Sequence, residues 1–132
     1  GGVSHRSYEA VHFLGRVGDD ELAGLMQHAT ALCYPSLYEG FGLPPMEAMA
    51  VGTPALVSDI PVMRETVGDA AVLLPPTDAR AWAEAMAKVS MEPEYRDQLG
   101  ARGKRRASAF TWSQTARIVL DVLEATASGG SA

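Results

Sequence analysis

The chain has 132 residues, 47% of them hydrophobic, a length that supports one domain with a modest core and is too short for two ordinary ones. Its formal net charge of −5 argues against a nucleic-acid or anionic-membrane surface, and the one basic run, Lys104, Arg105 and Arg106, reads as a solvated helix face. A single cysteine, Cys33, excludes an internal disulfide and a multi-cysteine metal site, and no transmembrane run or signal peptide is seen, which predicts a reducing, cytosolic setting.

Residues 1–10 show no periodicity and read as linker or appended sequence. Short apolar runs predict strands at Val11 to Leu14, Ala31 to Tyr34, Ala55 to Ser58 and Ala71 to Leu74, with little alternation, as expected where helices cover both faces. Cys33 falls inside the second run and is expected to be a buried, inert thiol. Between the strands, Asp19, Asp20 and Glu21 favour the start of a helix that carries Leu22, Leu25 and Met26 on one face. A shorter helix is expected over Val62 to Val67, and Asp78 is placed to cap a helix containing Trp82, Met86 and Val89. Thr111 and Gln114 form a capping box for a last helix whose apolar stripe is Trp112, Ala116, Val119, Leu120 and Leu123. This alternation implies an α/β fold on a parallel sheet, over residues 11–127, with an all-helical stretch from Asp78 onward and a flexible tail at 128–132.

The most informative segment is Glu39 to Pro54, EGFGLPPMEAMAVGTP, in which two carboxylates stand eight positions apart across a glycine loop that leads into a helix. Gly40 and Gly42 let the backbone lie close against a ligand and present its amides. Pro44 is disfavoured in the α region by the proline after it, so Pro45 is expected as the first helical residue, leaving the amides of Met46 and Glu47 free for phosphate or a sugar hydroxyl. By spacing alone the segment also fits a plain strand-to-helix turn, with Glu47 favouring the helix dipole and Glu39 solvated.

With the strand ending ALCYPS before it, the small-residue helix EAMAVG and the strand PALVS after it, the segment resembles the C-terminal nucleotide-binding domain of retaining GT-B glycosyltransferases, the group with a Glu-x(7)-Glu motif. The resemblance runs from Val11 to Ala127 through VHFLGRV, RETVGDAAVLL and FTWSQTA. It implies a partial Rossmann-like sheet and a nucleotide-diphosphate sugar as donor substrate, with no cofactor and no metal. By the same resemblance Glu39 lies beside the donor sugar and stabilises positive charge at the anomeric carbon, while Glu47 holds the ribose hydroxyls. Backbone amides of Gly40, Phe41, Gly42 and Leu43 would contact sugar and phosphate, and Arg16 and Val17 would bring backbone near the nucleobase.

The family's N-terminal domain, its diphosphate-binding Arg and Lys and the two central strands of its sheet would all lie upstream of this sequence. The isolated chain is therefore expected to be inactive. Its last helix, which in the family packs on the N-terminal domain, or an open sheet edge is expected to drive a homodimer. The parent enzyme is expected to be cytoplasmic or peripheral at the inner membrane face. An alternative of a different class is a noncatalytic nucleotide-sugar binding module acting through a partner. A receiver-like domain with Asp59 as phospho-acceptor lacks the acidic pair such domains need. His5, His12 and His28 are scattered and form no metal constellation, and Ser36 has no His at motif spacing. Tyr38 could shape the sugar pocket or simply pack, and Arg64 with Glu65 reads as a structural ion pair or helix cap.

Overall fold

The computed structural model describes residues 10–37, 43–110 and 112–130. In chain order the elements are α1 (Asp19–His28), β1 (Leu32–Tyr34), α2 (Leu43–Ala50), β2 (Ala55–Ser58), α3 (Pro61–Val67), β3 (Val72–Leu74), α4 (Ala79–Met91), α5 (Pro93–Ala109) and α6 (Trp112–Gly130). The strands form a parallel sheet in the order β1-β2-β3, with Cys33 opposite Leu56 and Val57 opposite Leu73.

β2 is the centre of the fold and is buried along its whole length. Successive side chains of a strand point to opposite faces. Ala55 and Val57 accordingly join Met49 of α2 and Met63 and Val67 of α3, whereas Leu56 joins Leu74, Trp82 and Val89 of α4 and Leu99 of α5. Coverage on both faces is why ALVS is continuously apolar instead of alternating.

Val11 to Leu14, expected as a strand, is not one: Val11, Phe13 and Leu14 are 51%, 85% and 59% exposed. Apolar composition supplies a face for a core, but a strand also needs a hydrogen-bonding neighbour. None of the described residues provides one, and β1 stands at the edge of the sheet. α1 is helical as its acidic first turn suggests, yet of its three expected core residues Met26 alone is buried. The helix is tied to the sheet by Thr53 Oγ1, which donates to the Met26 carbonyl at 2.6 Å.

The helices after β3 are set by their termini. Asp78 accepts a hydrogen bond from the Ala81 amide at 3.1 Å, and Trp82 Nε1 donates to the Pro75 carbonyl at 2.9 Å, fixing the turn from β3 into α4. Trp82 and Val89 face the core while Met86 does not. α4 stops at Met91 because Pro93 begins a new helix, and Arg96 donates to the carbonyls of Val89 and Ser90 at the end of α4.

The basic run on α5 is only partly a solvated face. Lys104 and Arg105 are exposed, but Arg106 donates to the carbonyls of Thr66 and Glu65, at 3.2 and 2.9 Å, and lies over the Phe110 ring. Arg102 donates to the Asp69 carbonyl just beyond. The last turn of α3 leaves carbonyls unpaired with negative partial charge, and two guanidiniums from α5 satisfy that end.

α6 forms over the expected stretch, although its expected capping residue, Thr111, lies outside the described residues, and the helix continues to Gly130, into the stretch read as a tail. Its stripe is open to solvent: Val119, Leu120 and Leu123 are 38%, 53% and 59% exposed. No helix of the described residues is long and apolar enough to cross a membrane.

Candidate functional site

Parallel α/β sheets place ligands beyond the carboxyl ends of their strands. Here β1 runs out through Pro35, Ser36 and Leu37 toward the glycine loop, and β2 through Asp59 and Ile60. Glu39, Gly40, Phe41 and Gly42, together with Tyr38, lie outside the described residues. Leu43 is described as the first residue of α2.

α2 thus starts two residues before the expected Pro45. Prolines are tolerated in the first turn, where no amide is required, so the dipeptide is absorbed into the helix instead of standing before it. The shift has an electrostatic consequence. Met46 and Glu47 become the fourth and fifth residues, past the first turn whose amides a helix leaves unpaired, and of the three helical residues before them Leu43 alone carries an amide.

Pro45, Ala48 and Met49 are buried on one side of α2, and Glu47 is exposed on the other. It faces a cleft of about 410 Å³ between α1 and α2, lined by Asp19, Leu22, Ala23 and Met26 of α1 and by Glu47 and Val51. Val17, half-buried, borders a different depression of about 670 Å³ with Leu14, Glu21, Gly24, Leu25, His28 and Ala29, and Arg16 is exposed and in neither. The structure therefore sets Val17 and Glu47 on separate clefts that share α1. The expected apolar face of α1, Leu22, Leu25 and Met26, is divided between these clefts: Leu22 and Met26 border Glu47 together with Asp19, expected only as part of the helix start, and Leu25 borders Val17.

At the end of β2, Arg64 Nε donates to Asp59 Oδ1 at 2.5 Å, the structural ion pair expected for Arg64, with Asp59 instead of Glu65 as its partner. The hydrogen bond to Asp59, and then its charge, hold the guanidinium above its ordinary range. An Asp59 held this way is the start of α3 pinned to its own strand, not a free acceptor. Burial pushes the Cys33 thiol up, which disfavours its reactive thiolate, although the side chain is half-buried and not fully enclosed as expected. Among the described residues, no group of three or more His, Cys, Asp and Glu side chains converges as a metal site would. A separate groove of about 470 Å³ between α3 and α6 is lined by Leu37, Ile60, Pro61, Val62, Asp121 and Val122, among others.

The family model for glycosyl transferases group 1 matches residues 4–106. The chain is 38% identical over 120 residues to the MMP alpha-(1->4)-mannosyltransferase of Mycolicibacterium hassiacum, covering 88% of this chain and 29% of that protein. It is 44% identical over 86 residues to the O-antigen chain mannosyltransferase RfbU of Salmonella typhimurium, covering 65% of this chain and 24% of that one. Among solved structures, sucrose-phosphate synthase from Thermosynechococcus elongatus superimposes with a TM-score of 0.73 at 31% identity, over 92% of this chain and 31% of its own. The chain thus spans about a quarter to a third of the proteins it matches, and its sheet is the C-terminal part of a GT-B fold. With most of its length matched by the family model, the chain belongs to the glycosyl transferases group 1 family.

Proposed function

We propose that this chain is the donor-binding part of a retaining glycosyltransferase that moves a hexose from a nucleotide-diphosphate sugar to an acceptor, without a metal. The observation that carries the reading is Glu47: it stands on the face of α2 turned away from the core, at the edge of a cleft, eight residues after Glu39. An acid on that face has no packing role and is available to ribose hydroxyls. Glu39 acts on the sugar side. A carboxylate near an anomeric carbon gains attraction as oxocarbenium-like charge develops, so it lowers the barrier more than it tightens binding. Loop amides from Gly40 to Leu43 hold the sugar and phosphate. Arg16 and Val17 precede α1, and their backbone serves the base end of the donor.

Two of the matched relatives are mannosyltransferases by name, which supports a hexose as the transferred group. The rest of the machinery, including an N-terminal domain and the basic residues for the diphosphate, belongs to the remainder of the protein, which acts in the cytoplasm or at the inner membrane face. Two measurements test this. Titration of the complete protein with a panel of nucleotide sugars, followed by product analysis, should show binding and transfer by the complete protein and no transfer by this chain alone. Turnover by the isolated chain would overturn the division of labour, and binding without transfer by the complete protein would favour a noncatalytic nucleotide-sugar module.

The exposed stripe on α6 gives the isolated chain a second property. Val119, Leu120 and Leu123 present apolar surface that no described element of the chain covers, which is expected to drive homodimerisation. Sedimentation velocity over a concentration series should show a dimer that Leu120→Glu abolishes. A monomer at high concentration would refute it.

A further inference from the structure

We infer that Thr53 is a positioning residue that holds the two walls of the cleft beside Glu47 at a fixed separation, and so governs donor affinity without touching the donor. The inference rests on the reading of Glu47 as ribose anchor. The cleft has Asp19, Leu22, Ala23 and Met26 of α1 on one side, and Glu47 of α2 with Val51 just after it on the other. Its width is therefore the separation of α1 from α2. Ala48 and Met49 anchor α2 in the core, both fully buried. α1 has no such anchorage, since Met26 is its one buried residue.

The last four carbonyls of a helix have no intrahelical partner. On α1 the Ala29 amide takes the Leu25 carbonyl, and the next carbonyl, that of Met26, accepts from the Thr53 hydroxyl at 2.6 Å. On α2 the Ala48 carbonyl accepts from the Thr53 amide at 2.9 Å. One residue thus satisfies an end carbonyl on each wall. Thr53 is 3% exposed and does not line the cleft; it borders a different, polar depression with Gln27, Arg96 and Lys104. Its own place is fixed, because Gly52 before it is held at φ +81° and α5 passes close over this turn at Gly100. Branching at Cβ also restricts the rotamers open to the hydroxyl. The turn is rigid on the α2 side, and α1 takes its position from the Thr53 bond.

Removing that bond leaves the Met26 carbonyl without its partner, and α1 relieves it by shifting toward water. The cleft geometry that accepts a nucleotide is then one arrangement among several, and the apparent affinity falls by the fraction of molecules that hold it. Ground and transition states lose this equally, so the change appears in KM and not in kcat.

Calorimetric titration of the complete protein with GDP, UDP and ADP identifies the diphosphate that binds the parent, and the variants are compared on that ligand. Thr53→Val keeps the branched shape and removes the donor, and should weaken binding about tenfold. Thr53→Ser keeps the hydroxyl and should stay within about twofold of the parent. In the transfer assay, KM for the donor should rise with the affinity lost while kcat stays within about twofold. Val89→Ala, which opens a cavity in the core beneath α4, controls for lost stability and should leave the affinity unchanged. If Thr53→Val does not fold, Thr53→Ala, which leaves space for a water at the Met26 carbonyl, takes its place with a loss of about threefold or more. Unaltered affinity in the variant lacking the hydroxyl, an equal loss in Thr53→Ser or in Val89→Ala, or a loss carried by kcat would overturn the inference. Failure of all three diphosphates to bind, or parent-like affinity in Glu47→Ala, would instead overturn the donor-binding reading beneath it.

Discussion

Replacing Gly100 by alanine should destabilise the domain by about 2 kcal/mol or more, although the same change at a neighbouring helical glycine should do little. A Cβ built on Gly100 would lie 2.4 Å from the Gly52 carbonyl oxygen, and Gly52 is held at φ +81°, in the turn between α2 and β2. Both contacting groups are backbone, so relief requires moving α5 away from the sheet. Overpacking of a core costs about 1 to 3 kcal/mol, occasionally more, and the alanine's better helix propensity returns only about 1 kcal/mol. At Gly103 the added carbon would meet Met49 Cγ at 3.2 Å. A methionine side chain can shift, so overpacking and propensity should nearly cancel there, leaving a change within about 1 kcal/mol. At Gly24 of α1 nothing lies within 4 Å, and alanine should stabilise by roughly 0.5 to 1 kcal/mol. Urea unfolding midpoints of the three variants check the order. Equal midpoints for Gly100→Ala and Gly103→Ala would show that α5 does not approach the turn as closely as described.

The close approach at Gly100 was not legible in the sequence, and the reason is physical. Strand β2, the cap at Asp78 and the helices at Asp19 and Pro61 follow from local signals: a continuous apolar run, a side chain that can reach an amide, an acidic first turn, a proline at a helix start. What α5 packs against is a tertiary matter. In LGARGKRR the glycines weaken a helix by propensity, and only the position of the α2–β2 turn explains why they stand there. The arginines beside them read as solvated charge for the same reason, since the carbonyls that Arg106 satisfies are some forty residues earlier in the chain. Val11 to Leu14 failed in the opposite sense: its composition fits a strand, but pairing depends on a neighbour that local sequence cannot supply. The site shows the same division. The spacing of Glu39 and Glu47 was plain in the sequence, whereas the partnership of Glu47 with the α1 face appeared only once two helices were laid side by side.

In the complete enzyme the two glutamates should separate by kinetics. Glu47→Ala should chiefly raise the donor KM, because hydrogen bonds to ribose are made in the ground and transition states alike. Losing hydrogen bonds to a charged group amounts to about 1 to 3 kcal/mol, roughly 5- to 150-fold. The fold should not suffer, because Glu47 is exposed on α2 and alanine is the best helix former. Glu39→Gln keeps size and removes charge. If the carboxylate acts against charge that develops during transfer, its loss appears in kcat, by roughly a hundredfold or more on the scale of a lost oxyanion-hole donor, with KM little changed. Steady-state rates over a donor concentration series distinguish the two, and the same unfolding midpoint for both variants and the parent excludes a stability effect. Equal, KM-only changes would reduce Glu39 to a binding residue. An unchanged kcat in Glu39→Gln would mean that the positive charge at the anomeric carbon is balanced elsewhere, by the departing diphosphate itself.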